Sequence, residues 1–72
     1  MNKGTFSIFK TWKGYEVGLK RPGHNLHIYV GTVYAGKVTY VTDYLHAKKY
    51  KTEAAAERIA RMIEAGALTE VN

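Results

Sequence analysis

Positively charged residues recur beside aromatic residues and histidines along most of this chain. Lys and Arg can neutralise phosphates, while Trp, Tyr and Phe offer flat surfaces on which bases or sugars can stack. Tyr and Trp are also common at protein interfaces, so the same pattern fits contact with a protein. We predict that the residues binding nucleic acid or a protein partner are Lys10, Trp12, Lys13, Lys20, Arg21, His27, Tyr29, Lys37, Lys48 and Lys49.

Some of these residues also have a purely structural interpretation. Trp12 can fold back over the edge of a small core, and tyrosines of a sheet are often half-buried with the hydroxyl in solvent. The lysines at 48, 49 and 51 can be a solvated lead-in to a helix.

Few residues have the types and spacing that catalysis or metal binding requires. There is no Cys, and His24, His27 and His46 do not follow a metal-ligand spacing. Asp43 and Glu16 have no acidic partner nearby in the sequence, and no Gly-rich phosphate loop is present. We therefore predict a binding protein that is not an enzyme and uses no cofactor or metal.

The composition indicates one small, basic globular domain spanning residues 1–72. The chain has 11 Lys and Arg against 6 Asp and Glu, a net charge of +5, and 46% hydrophobic residues. This charge favours anionic partners, although many small basic proteins are merely soluble. No apolar run approaches the about 20 residues that span a bilayer, and the N-terminus lacks a signal-peptide core. We expect a cytoplasmic protein that does not bind membranes.

The first 43 residues alternate between apolar and polar positions and are interrupted by glycines. This pattern predicts strands over about 5–10, 15–20, 26–34 and 38–42, joined by hairpin turns into an antiparallel meander. Gly31 is a candidate β-bulge, so the pattern beyond it and the register of the fourth strand stay open. Either Val33 or Tyr34 could point inward, as could Val38 with either Tyr40 or Val41.

Alternation divides the side chains of the first three strands between two faces. The inward positions are Phe6, Ile8, Tyr15, Val17, Leu19, Leu26, Ile28 and Val30. The outward positions are Ser7, Phe9, Glu16, Gly18, Lys20, His27 and Tyr29.

The last part of the chain predicts one amphipathic helix over about 53–65. Thr52 is a plausible N-cap, Glu53 suits the helix dipole, and Gly66 is a natural stop. Glu57 and Arg61 are spaced for an ion pair. One apolar stripe is formed by Ala55, Ala56, Ile59, Met62 and Ile63. Leu68 and Val71 could extend this stripe or fray.

The predicted fold class is therefore α+β, with an antiparallel meander of about four strands and one C-terminal helix packed on one face. The opposite face should stay open, and we expect the binding residues to act there.

Two stretches resemble the arm-type (AP2-like) DNA-binding domain of tyrosine recombinases. Residues 4–10 with 13–17 resemble its first strand, its turn rich in Lys and Gly, and its second strand. Residues 50–56 resemble the passage into its helix. The resemblance implies a sheet in the DNA major groove, with Lys10, Lys13, Lys20 and Arg21 meeting DNA. That family usually has three strands, and no catalytic recombinase domain is present here.

The resemblance favours an accessory or regulatory factor of a phage or other mobile element, binding DNA in preference to RNA. The alternative is a phage- or plasmid-type protein inhibitor of a host nucleic-acid machine, such as an anti-CRISPR or other anti-defence protein. A structural interaction module would look the same in sequence, and a sheet edge could also pair with a second copy.

Overall fold

The computed structural model describes residues 4–23 and 25–71. The strands are β1 (Thr5–Thr11), β2 (Gly14–Lys20), β3 (Ile28–Tyr34), β4 (Lys37–Val41) and β5 (Thr69–Val71). A 3-10 helix spans Tyr44–His46, and the α-helix α1 spans Glu53–Glu64. The strands form one sheet in the order β1-β2-β3-β4-β5, antiparallel from β1 to β4. The predicted α+β class and antiparallel meander are confirmed.

The fifth strand was not predicted. Residues 69–71 pair in parallel with β4, and the Thr69 N–H donates to the Gly36 carbonyl at 2.8 Å. Three residues are too short for an alternation pattern, and their partner lies about thirty residues earlier. Leu68, just before β5, is buried in the core and anchors this last segment.

The strands β2 and β3 are joined along only part of their length. Their register includes only Gly18 opposite Tyr29 and Leu19 opposite Ile28. Beyond these pairs, residues 48–50 fill the gap: the Lys48 N–H donates to the Val30 carbonyl at 2.8 Å. On the other side Tyr15 and Tyr50 exchange two backbone hydrogen bonds, each 2.8 Å. The segment before α1 is thus part of the sheet.

The inward assignments hold with one exception. Val17, Leu19 and Val30 are fully buried, whereas Leu26 is 81% exposed. Leu26 was predicted in a strand but lies in the β2–β3 connection, since β3 begins only at Ile28. Its alternation with Ile28 was therefore coincidental.

The structure resolves the register of β4. The predicted bulge at Gly31 is confirmed, because the pairing of β3 with β4 shifts between Val30 and Thr32. Val38 and Tyr40 are buried in the core, so Val41 points to the opposite face.

The helix α1 covers one face of the sheet, as predicted. The Thr52 hydroxyl accepts a hydrogen bond from the Ala55 N–H at 3.1 Å, and Gly66 follows the helix with a positive φ of 76°. Ala56 and Ile63 are fully buried against the core strands. We call the side of the sheet that α1 covers the helix face, and the other side the open face.

Candidate nucleic-acid interface

Part of the open face is covered, contrary to the prediction. Glu16 belongs to this face because it alternates with Tyr15 and Val17, which pack in the core. It is nevertheless only 3% exposed. The covering group is Lys49, whose Nζ lies 2.8 Å from Glu16 Oε2. The expectation of a bare face is therefore wrong over this half of β2.

Lys49 also holds the chain that crosses there. Its Nζ donates to the carbonyl oxygens of Tyr44 at 3.2 Å and Ala47 at 3.0 Å. The ion pair with Glu16 is the third contact of this ammonium group. Lys49 thus ties the 3-10 helix to β2, and the candidate interface leaves it out.

The other half of the open face carries a row of aromatic rings. The Phe9 ring meets His27 edge-on at 5.5 Å between centroids and lies 6.0 Å from the Tyr29 ring. Phe9 lies over Gly18, where an added Cβ would be only 2.4 Å from Phe9 Cε2. The outward positions predicted for Phe9, Gly18, His27 and Tyr29 are consistent with this row. Its rings are half-buried, so only their outer surfaces can meet a partner.

Lys20 extends this face at the end of β2. It is exposed and shares strand parity with Glu16 and Gly18. A phosphate beside the aromatic row could therefore reach its ammonium group.

The opposite end of the sheet, which we call the turn end, contains both hairpin turns. The antiparallel registers place the β1–β2 turn at Trp12 and Lys13 on the same end as the β3–β4 turn at Ala35 and Gly36. Trp12 is 90% exposed, and Lys13 Nζ lies 4.9 Å from the centroid of its ring. Trp12 therefore projects into solvent instead of folding over the core.

Side-chain hydrogen bonds fix the β1–β2 turn. The Thr11 hydroxyl donates to the Gly14 carbonyl at 2.9 Å and accepts from the Lys13 N–H at 3.2 Å. Gly14 has a φ of 139°, which favours glycine. A Cβ at this position would lie only 2.5 Å from the Tyr50 carbonyl oxygen. The exposed indole is thus carried by a well-defined backbone.

Other predicted lysines surround the turn end on both sides of the sheet. Lys10 shares parity with Phe6 and Ile8 and so projects on the helix face, not on the open face. Lys37 begins β4 beside the β3–β4 turn. Lys48 is exposed, and its Nζ lies 5.6 Å from the Tyr50 ring. Lys20 thus lies at the opposite end of β2 from Lys13, and Lys10 projects on the other side of the sheet from Lys20.

Arg21 is engaged within the fold on the helix face. Its guanidinium lies 3.7 Å from the Glu70 carboxylate and 5.3 Å from the Tyr40 ring. Burial, followed by the nearby Glu70 charge, raises the pKa of Tyr40 to about 12. Arg21 thus links the β2–β3 connection to β5.

A small cleft lies between the β1–β2 turn and the 3-10 helix. It has a volume of about 200 Å³ and is open to solvent. The exposed side chains of Trp12, Tyr44 and Leu45 line it, with the Glu16–Lys49 pair beneath. Sequence reasoning missed Tyr44 and Leu45, because nothing in the local pattern places residues 44 and 45 beside residue 12. The signal available was only their apolar type within a polar connection.

The acidic and histidine side chains of the described residues are not gathered into a metal site. Within residues 4–23 and 25–71, no group of three His, Asp or Glu side chains could hold a metal ion. Asp43 caps the 3-10 helix, accepting from the Leu45 N–H at 2.8 Å, and lies 3.4 Å from His46 Nδ1. His24 lies outside the described residues.

Most of the described cations have no acidic partner. Among the ten Lys and Arg side chains of the described ranges, ion pairs engage Arg21, Lys49 and Arg61. The remaining seven are Lys10, Lys13, Lys20, Lys37, Lys48, Lys51 and Arg58. Lys51 was not predicted as a site residue, yet it follows Tyr50, which pairs with β2 at the turn end.

No helix in the described part of the chain is long and apolar enough to cross a membrane.

Comparisons with protein-family models, with curated proteins and with solved structures find no match to this chain. The resemblance to the arm-type DNA-binding domain therefore stays a prediction.

Proposed function

We propose that this protein binds nucleic acid, with the turn end as the main contact region and without catalysing a reaction. The observation that carries the proposal is the set of lysines there that make no ion pair within the described residues. These are Lys10, Lys13, Lys37 and Lys51, with Lys48 further along the same segment beside Val30.

Unpaired lysines are the appropriate groups for this role. An ammonium already held by a carboxylate gains little from a phosphate, whereas a free one releases counterions from the nucleic acid. Glu16, the acid on β2 near this end, is buried and neutralised by Lys49. The field at the turn end therefore stays positive, which favours approach of a polyanion.

The aromatic row gives the interface a second region. Phe9 and Tyr29 present ring surfaces beside Lys20 at the other end of the open face. Rings with one adjacent cation can stack a base while the phosphate meets the ammonium. A strand running along the open face would contact both regions.

A second candidate function, inhibition of a host protein by direct binding, is favoured by the exposed Trp12, Tyr44 and Leu45. Large apolar side chains of this kind often form the centre of protein interfaces. We rank it second because the surrounding free charges are lysines, which are depleted at such interfaces.

A titration against salt tests the proposal. Fluorescence anisotropy of a labelled oligonucleotide should show binding at low salt. If four of the lysines meet phosphates, log Kobs should fall with log salt with a slope of about −3.6 for duplex or about −2.8 for a single strand.

A matched pair of variants localises the contact. Replacing Lys13 and Lys37 with Ala removes two charges at the turn end and should weaken binding and flatten the slope by about two. Replacing Arg58 and Arg61 removes the same charge from α1 and should change binding much less. Equal losses in the two variants would place the contact elsewhere. No binding at low salt, together with capture of one protein from nuclease-treated lysate, would favour the second function.

A further inference from the structure

We infer that the cleft between Trp12 and the 3-10 helix holds one unpaired nucleobase, so that the protein prefers single-stranded nucleic acid to duplex. This inference rests on the proposed function and adds to it the form of the nucleic acid. It depends on the shape of the cleft, its lining and the charges around it.

The size of the cleft suits one flat ring. Its volume of about 200 Å³ is below the range of about 300–1,000 Å³ typical of sites for drug-sized ligands. Trp12 of the β1–β2 turn lines it together with Tyr44 and Leu45 of the 3-10 helix. A base inserted here would be sandwiched between an indole and apolar side chains, as bases are in single-strand-binding proteins.

The backbone on both sides of the cleft is held in place before a ligand arrives. The Thr11 hydrogen bonds hold the turn that carries Trp12, and Lys49 holds the carbonyl of Tyr44 at 3.2 Å. A preformed site loses less conformational entropy when its ligand binds.

The charges favour a nucleotide over an apolar protein side chain. Lys13 Nζ lies 4.9 Å from the Trp12 centroid and makes no ion pair among the described residues. The carboxylate below the cleft, Glu16, is already neutralised by Lys49. A base on Trp12 would thus bring its own phosphate towards a free ammonium.

A stacked and paired base cannot occupy this cleft. To stack on Trp12 and reach Tyr44, a base must leave its neighbours, which is unfavourable in a duplex and easy in a single strand or loop. This is the physical basis of the expected preference.

Trp12 is the only tryptophan, so its emission reports directly on the cleft. Titration with oligo(dT), oligo(rU) and a matched duplex at one salt concentration should quench the emission with either single strand. Anisotropy should give at least about ten-fold tighter binding to single strands than to duplex. Quenching by one strand alone would support the cleft and show that it discriminates between two strands that differ in the sugar and in the thymine methyl group.

Variants separate the cleft from the general charge of the protein. Trp12→Ala and Leu45→Ala should weaken single-strand binding about ten-fold and leave duplex binding within two-fold. Tyr34→Ala is the matched control, because Tyr34 is 82% exposed near the turn end but does not line the cleft. Unchanged circular dichroism and melting temperature would show that each variant is folded.

The outcomes distinguish the two levels of the proposal. One outcome is salt-dependent binding that is equally strong for single strands and duplex, with unchanged Trp12 emission. This result would contradict base binding in the cleft but would still support the proposed function. The same would follow if Trp12→Ala and Tyr34→Ala had equal effects. Absence of binding to every oligonucleotide would overturn both.

Discussion

Lys49 Nζ lies 2.8 Å from the Glu16 carboxylate and closes a face of the sheet that the strand pattern alone leaves open. The pair joins β2 to the chain segment before α1 and positions one side of the cleft. Removing this ion pair should therefore lower the stability of the fold, which can be measured without a ligand.

Replacing Lys49 with Met should lower the free energy of unfolding by about 2–4 kcal/mol, because Glu16 is left as a buried, uncompensated charge. Urea denaturation would measure the loss. The double variant Glu16→Leu with Lys49→Met should recover most of it. Lys48→Met is the matched control and should stay within about 0.5 kcal/mol of the parent. A Lys49→Met protein as stable as the control would contradict the structural role of the pair.

Adding a methyl group at Gly18 should displace the Phe9 ring. The new Cβ would lie 2.4 Å from Phe9 Cε2, too close for the ring to remain in place. Because the ring borders solvent, we expect it to swing outward, with a loss of about 1 kcal/mol and changed NMR shifts at His27 and Tyr29. In the background Phe9→Ala, the same Gly18→Ala change should cost much less. Equal costs in the two backgrounds would show that the ring does not rest on Gly18.

Local patterns predicted the parts of the fold that depend on local physics. The N-cap at Thr52, the stop at Gly66 and the bulge at Gly31 each follow from residues adjacent in sequence. Inward and outward parity likewise held for β1 and β2. These features need no knowledge of where distant segments lie.

The features that were missed all depend on contacts between distant segments. From its neighbours in sequence Lys49 is predicted to be a solvated charge. In the fold it contacts Glu16, which lies thirty-three residues earlier. The sequence pattern likewise places Tyr44 and Leu45 in a connection, whereas in the fold they line a cleft together with Trp12. The strand pattern therefore predicted which side chains of β1 and β2 share a face, whereas the contacts of Lys49 and of the 3-10 helix could not be predicted from neighbouring residues.

The short strand β5 should depend on one buried leucine. Leu68 is 5% exposed and packs in the core, so Leu68→Ala should lower the free energy of unfolding by about 2–3 kcal/mol. Leu26→Ala makes the same chemical change at an exposed site and should cost less than about 0.5 kcal/mol. Thermal or urea unfolding measures both. Similar costs would mean that the last segment does not contribute to the core.

Two tyrosines should make the fold sensitive to alkaline pH. Burial is the largest of the causes that raise the pKa of Tyr40 to about 12. Burial alone raises the pKa of Tyr50 to about 12. The ordinary value is 10.0, so the folded state favours the neutral phenols. Their contribution to stability is complete below pH 10 and is lost as the pH rises through about 12.

Phenylalanine substitutions at these positions should have opposite effects at neutral pH. A side-chain hydrogen bond to Glu70 is one of the causes that raise the pKa of Tyr40, so Tyr40→Phe should cost about 1 kcal/mol. The Tyr50 hydroxyl is buried without a hydrogen-bond partner among the described residues, so Tyr50→Phe should be neutral or stabilising. Each variant should also lose less stability between pH 10 and pH 12 than the parent, as measured by urea unfolding at a series of pH values. If Tyr50→Phe is less stable than the parent at neutral pH, the Tyr50 hydroxyl of the parent has a hydrogen-bond partner. If the alkaline profile is unchanged in both variants, other groups cause the pH dependence.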